Sequence, residues 1–169
     1  NYAFGHVSET FNGVGIDNEN RLRGIVALKA QKPELKIMLS IGGWGSGRFS
    51  EMAANDEYRR AFAKDCDRVV KEFDLDGIDI DWEYPTSSMA NISASPDDTE
   101  NFTLLMKDIR AAIGDQKELT LATVASAKYI DFKAILPFIN FVNIMAYDMA
   151  SAPKHHSALY RSANSGGIT

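Results

Sequence analysis

At 169 residues, with 45% hydrophobic and 24% charged side chains, the chain has an ordinary globular composition and enough length to bury a sizeable core. A formal charge of −5, with no Lys/Arg run interleaved with aromatics, argues against nucleic acid as a partner, and no apolar run is long enough to cross a bilayer. Cys66 stands alone, so no intrachain disulfide forms and cysteine pairing reveals no compartment.

The chain opens on Asn1-Tyr2-Ala3-Phe4, which reads as the inside of a strand. A helix is predicted from Asn20 to Gln31, with Leu22, Ile25, Val26 and Lys29 at helical spacing and Pro33 beyond its end. Lys36 to Ile41 is almost continuously apolar, as a strand buried on both faces would be. The best-defined helix runs from Asn55 to Phe73, with Asn55 as its cap, Asp56 and Glu57 in its first turn, and a stripe of Tyr58, Phe62, Cys66, Val69, Val70 and Phe73. On that stripe Cys66 is a small buried hydrophobe. A strand follows at Gly77 to Trp82, then a polar stretch from Pro85 to Asp98, long for its place and read as the rim of a binding groove. The next helix begins near Asp98, buries Phe102, Leu105, Ile109 and Ile113, and stops at Gly114. Leu119 to Ala125 reads as a strand, Asp131 to Leu136 as a short helix ending at Pro137, and Phe141 to Tyr147 as a further strand. The end, Ser165 to Thr169, reads as an unfinished loop, so a piece of a longer protein is expected. Alternating strands and helices predict an α/β fold with a parallel sheet.

The most informative segment is Asp76-Gly77-Ile78-Asp79-Ile80-Asp81-Trp82-Glu83-Tyr84-Pro85. On a strand, alternate side chains share a face, so Asp79, Asp81 and Glu83 form a row while Ile78, Ile80 and Trp82 cover the other side. Acids spaced ~6–7 Å apart along one face raise the pKa of at least one of them. Such a row between large apolar residues implies chemistry or a metal. A calcium site is disfavoured, because there is no dense acidic loop and no nearby His. Asp76 falls on the opposite face and is expected to support the turn.

Asp76, Asp79, Asp81 and Glu83 reproduce the D-x-x-D-x-D-x-E signature of family 18 glycoside hydrolases, and Tyr84-Pro85 matches the W-E-Y-P ending of the chitinase branch. Ser40-Ile41-Gly42-Gly43-Trp44 resembles the family's S-x-G-G element, Met145-Ala146-Tyr147-Asp148 its M-x-Y-D element, and Asn1 to Phe4 its second strand. The resemblance implies a partial (β/α)8 TIM barrel of about five parallel strands, the second to the sixth, within a single fragment spanning 1–169. Every motif would then lie at the C-terminal end of a strand, where such barrels place their sites.

The resemblance further implies substrate-assisted retaining hydrolysis of chitin or N-acetylglucosamine oligomers, an exception to the usual two-carboxylate scheme. Glu83 would be the general acid and later the base. Asp81 would orient the substrate's acetamido group, Asp79 would share a proton behind it, and Tyr147 would bond the acetamido carbonyl. Asp148, Met145, Trp44, Tyr84, Phe4 and Gly43 are the expected substrate contacts. No cofactor, no metal, no nucleic acid and no membrane partner is expected. Secreted or extracellular placement follows from a polymeric substrate, with the periplasm as an alternative. Two rival readings are an endo-β-N-acetylglucosaminidase acting on N-glycans and a lectin-like relative, the latter disfavoured because Glu83 is present.

Family members close the sugar subsite with residues from the last strands, so weak or absent activity is expected of this chain alone. Two open sheet edges also predict self-association. His155-His156 lacks a third ligand at metal-like spacing, and Asn91-Ile92-Ser93 and Asn101-Phe102-Thr103 match a glycosylation pattern short enough to arise by chance.

Overall fold

The computed structural model describes residues 1–151, 156, 157 and 160. Strands β1 (Tyr2–Val7), β3 (Met38–Gly42), β4 (Gly77–Asp81), β5 (Glu118–Val124) and β6 (Phe141–Met145) are parallel to their neighbours, and β2 (Val14–Ile16) turns back antiparallel on β1. The sheet order is β2-β1-β3-β4-β5-β6. It is an open sheet with the strand succession of a partial barrel.

Five parallel strands agree with the sequence pattern, and β2 is an addition. Three residues are too few to carry a period, and the hairpin is closed instead by its turn, where the Ser8 N–H donates to the Gly13 carbonyl at 2.8 Å. Helix α1 (Glu19–Val26) starts earlier than expected because Asn18 is its cap, accepting from the Arg21 N–H. It tightens into a 3-10 turn at Ala27–Ala30. Helix α2 (Phe49–Ala54) was not visible in the pattern, being too short to show a stripe, and it ends where Asn55 becomes the cap of α3 (Asp56–Glu72).

The Asn55 side chain accepts from the Glu57 and Tyr58 N–H groups, as its sequence position predicts. Helix α4 spans Asp98–Ile113 and stops at Gly114, whose φ of +73° few other residues would adopt. Helix α5 (Phe132–Ile135) runs into a 3-10 turn, Leu136–Phe138, so Pro137 lies inside this turn rather than ending the element. Strands β4 and β6 end earlier than expected, at Asp81 and Met145.

Strand parity divides the sheet into two chemically distinct faces. Leu39, Ile41, Ile78, Ile80, Leu119 and Leu121 are fully buried and belong to one apolar core with Phe62, Cys66 and Val69 of α3 and Phe102, Leu105 and Ile109 of α4. The opposite face carries Ser40, Asp79 and Thr120, which stand level on β3, β4 and β5. Burial of the apolar face, worth roughly 25 cal/mol per Å², fixes the register, because a one-residue slip would turn the carboxylates into the core.

Below the sheet, Asp76 ties β4 to its neighbours. It accepts from the Ile37 N–H at 2.6 Å and pairs with the Lys29 ammonium at 2.8 Å. Gly77 follows where the strands run close: a Cβ there would collide with the Glu118 carbonyl of β5. Gly77→Ala is therefore expected to destabilise the fold by about 3 kcal/mol. For a chain of this size that lowers Tm by roughly 6–12 °C in a thermal melt, and an unchanged Tm would show that β4 and β5 can part without loss.

Candidate active site

Asp79 lies at the centre of the polar face with 2% of its surface exposed. Its Oδ2 accepts from the Ser40 hydroxyl at 2.7 Å, and its Oδ1 accepts from the Thr120 hydroxyl at 2.5 Å and the Asn143 side-chain amide at 3.0 Å. Strands β3, β5 and β6 thus each send one donor to a single carboxylate. The S-x-G-G resemblance includes Ser40, but no motif points to Thr120 or Asn143. Asn143 is the lone polar side chain of β6, whereas Thr120 shares β5 with Glu118 and Thr123 and carries no signal of its own.

Asp81 is the last residue of β4, 7% exposed, and its Oδ1 is buried without a hydrogen-bond partner among the described residues. Burial, then the charges of Glu83 and Asp79, push its carboxyl up to about 7. Gly42 lets β3 end against it: a Cβ at that position would collide with the Asp81 carbonyl, which instead accepts from the Gly43 N–H at 2.9 Å.

The strand stops before Glu83, so the acid is not the third rung of a regular row. It sits half-buried in the loop after β4, and burial raises its carboxyl above the usual value while the Tyr84 hydroxyl acts in the other direction. Trp82 still faces the apolar side, stacked on Phe49 at 5.4 Å and edge-on to Phe102 at 6.0 Å.

A cavity of about 540 Å³ opens above this floor. Asp81, Glu83, Tyr147, Asp148, Met145, Trp44, Tyr84 and Phe4 all line it, together with Val124. Gly43 lines an adjoining cleft of about 510 Å³ that shares Phe4 and Trp44 with the first and continues to His6, Ser46 and Arg48. Trp44 is 61% exposed and meets Tyr84 edge-on at 6.4 Å. Tyr84 in turn stacks on Tyr129 at 4.7 Å, an aromatic that the sequence pattern did not single out.

Tyr147 lies past the end of β6, in a loop rather than on the inward strand face expected of it, and Asp148 follows it in the same loop. Burial, then the charges of Asp81 and Glu83, raise the Tyr147 hydroxyl's pKa. Of the two neighbouring histidines, His155 lies outside the described residues, while His156 Nδ1 accepts from the Asp148 N–H at 3.2 Å. The Ser165 to Thr169 end also lies outside them. Among the described residues no three His, Cys, Asp or Glu side chains converge as metal ligands do.

A family model for "Glycosyl hydrolases family 18" matches residues 1–169. Chitinase A1 of Niallia circulans is 38% identical over 143 residues, covering 78% of this chain and 20% of that protein. The chitinase domain of the spore coat protein CotE from Clostridium difficile superposes with a TM-score of 0.88 at 38% identity, covering 96% of this chain and 50% of that one. A family 18 N-acetylglucosaminidase from Paenibacillus barengoltzii gives a TM-score of 0.85 at 38% identity, over 96% and 51% of the two chains. The chain therefore spans about half the length of these solved structures and a fifth of the curated relative.

The raised Asp81 carboxyl links the site to stability. Its folded value of about 7 lies above the ordinary 3.8, so the stabilisation carried by the protonated form is complete below 3.8 and is lost as pH rises to about 7. Asp81→Asn, neutral throughout, is expected to unfold later than the parent at about pH 8, by on the order of 2 kcal/mol, and to lose that advantage at about pH 4. Thermal melts at the two pH values check this; the same difference at both would contradict it.

Proposed function

The chain belongs to glycosyl hydrolase family 18, and on that basis we propose that it cleaves β-1,4 linkages between N-acetylglucosamine units of chitin or its oligomers by substrate-assisted, retaining hydrolysis. The observation that carries this reading is the pairing of a half-buried Glu83 with a buried Asp81 in one cavity, both carboxyls raised and one Asp81 oxygen unpartnered.

Glu83, whose burial favours the protonated form, donates its proton to the glycosidic oxygen as the bond to the anomeric carbon breaks. The carbonyl oxygen of the sugar's own 2-acetamido group attacks that carbon, giving an oxazolinium ion. Asp81 accepts the acetamido N–H and offsets the developing positive charge, and Asp79 supplies negative potential beneath it. Tyr147 donates its hydroxyl to the acetamido carbonyl and holds it for attack. Glu83, now a carboxylate, takes a proton from the incoming water, which opens the oxazolinium ring and restores both acid and product.

The exposed Trp44 and the Tyr84 ring supply apolar faces on which pyranose rings stack, and Asp148, Met145, Phe4 and Gly43 complete the walls. A polymeric substrate met outside the cell supports secretion; among the described residues no helix is long and apolar enough to cross a membrane. The single barrel unit over 1–169 has edges at β2 and β6, where Phe141 and Ile144 are 49% and 62% exposed, and this favours self-association of the chain.

Glu83→Gln in the full-length protein is expected to cut turnover of chitooligosaccharides by about 10³-fold or more while leaving oligomer binding intact. The parent's activity should fall as pH rises through the raised Glu83 value, since only the protonated acid donates. Unchanged turnover in the variant would refute the assignment, and release from a glycoprotein but not from chitin would favour an N-glycan substrate. Sedimentation of the chain reads its mass; a monomer at every concentration refutes self-association.

A further inference from the structure

The Glu83 segment is gripped on both sides by the same two helices. Before it, Trp82 lies between Phe49 of α2 and Phe102 of α4. After it, the Thr86 N–H donates to Asp98 Oδ2 at 3.2 Å, and Asp98 opens α4. The same oxygen accepts from the Ser95 N–H at 2.7 Å, and Oδ1 accepts from the Ser50 hydroxyl of α2 at 2.7 Å.

Asp98 has no exposed surface. A carboxylate so buried persists only when its lone pairs are met by well-placed donors, and here three segments meet them. The N-terminus of α4 adds a favourable dipole. Helix capping does not account for the arrangement. Residue 97 holds the cap position without a side-chain bond, and the Asp98 oxygens are directed to α2 and to the loop, outside its own helix.

We infer that Asp98, held by Ser50, is a positioning residue for the general acid: it fixes the chain three residues beyond Glu83, so that Trp82 and Thr86 together set where the carboxyl stands. The inference rests on the glycosidase reading of Glu83. Loosening either grip lets the acid drift by a fraction of a turn and admits water beside it, and displacements of that size cost orders of magnitude in rate.

Asp98→Ala in the full-length protein is expected to lower kcat about 10- to 100-fold while KM stays within about threefold. Asp98→Asn should recover most of the loss. Its amide oxygen can accept from Thr86 and Ser95, and its NH2 can donate to the Ser50 oxygen. Ser50→Ala should fall between them. The second readout is the titration of the Glu83 carboxyl followed by ¹³C NMR, with Asp81, Asp148, Tyr84 and Tyr147, the ionisable groups around the cavity, left in place. In Asp98→Ala the midpoint moves down toward the ordinary glutamate value, and in Asp98→Asn it stays with the parent.

A well-folded Asp98→Ala protein with parental kcat and parental Glu83 midpoint overturns the inference. If Asp98→Ala does not fold, Ser50→Ala decides it: lower kcat with a shifted midpoint supports the role, and no change in either overturns it. Because the titration is read without turnover, it stands even if Glu83→Gln proves active, so failure of the glycosidase reading is distinguishable from failure of this one.

Discussion

The Asp79 carboxylate, lifted out of water onto the inner face of a parallel sheet, is the constraint around which the rest of the site is arranged. A carboxyl group in such surroundings is tolerated only if its oxygens are hydrogen-bonded, and β3, β5 and β6 each contribute one side chain to do this. Those three donors can reach one acceptor only in the observed register, with Ser40 and Thr120 level with Asp79 on either side. The apolar residues between them impose the same register from the opposite face, since Ile78 and Ile80 must enter the core with Leu39, Ile41, Leu119 and Leu121. Hydrophobic burial and polar satisfaction therefore select the same strand alignment, the kind of agreement across levels that marks a well-specified fold.

Fixing Asp79 has an electrostatic consequence one step up the strand. Asp81 follows two residues later on the same face, too buried to be hydrated and within reach of the Asp79 and Glu83 charges, and its carboxyl rises to about 7. The sheet supplies Asp79 with donors to both oxygens, whereas the Asp81 Oδ1 has none among the described residues. Two chemically identical side chains thus acquire different characters from their partners alone: one a saturated anchor, the other an acceptor at the edge of a cavity.

Alternation of period two made the carboxylate row and its apolar reverse legible from residues 76–85, and the caps at Asn55 and Gly114 marked helix ends because they satisfy backbone groups locally. Features that depend on contacts distant in sequence were not legible. Thr120 and Asn143 are ordinary polar residues until β5 and β6 bring them beside Asp79, 41 and 64 positions away. Asp98 looked like a helix-start acid, and only its bonds to Ser50 and Thr86 give it another role. The end of β4 was misplaced because parity carries no signal for where a strand stops pairing. Parity makes Glu83 the next rung of the carboxylate row and the pattern puts Tyr147 at the end of a strand, and both lie in loops.

That misplacement bears on how the site is built. Had β4 continued, Glu83 would stand ~6–7 Å above Asp81 in a fixed direction, one more rung with its orientation set by the pleat. Leaving the sheet at Asp81 frees the acid from this geometry while Trp82, still clamped between Phe49 and Phe102, keeps it close enough for its charge to act on Asp81. Asp79 and Asp81 are held by strands, and Glu83, the proton donor of the proposed reaction, is carried on a short span tethered at both ends. In the proposed reaction that acid would meet a leaving oxygen and then a water, and such a tether serves it better than a rung of the sheet, because the two encounters call for slightly different positions of one carboxyl against an unmoving floor.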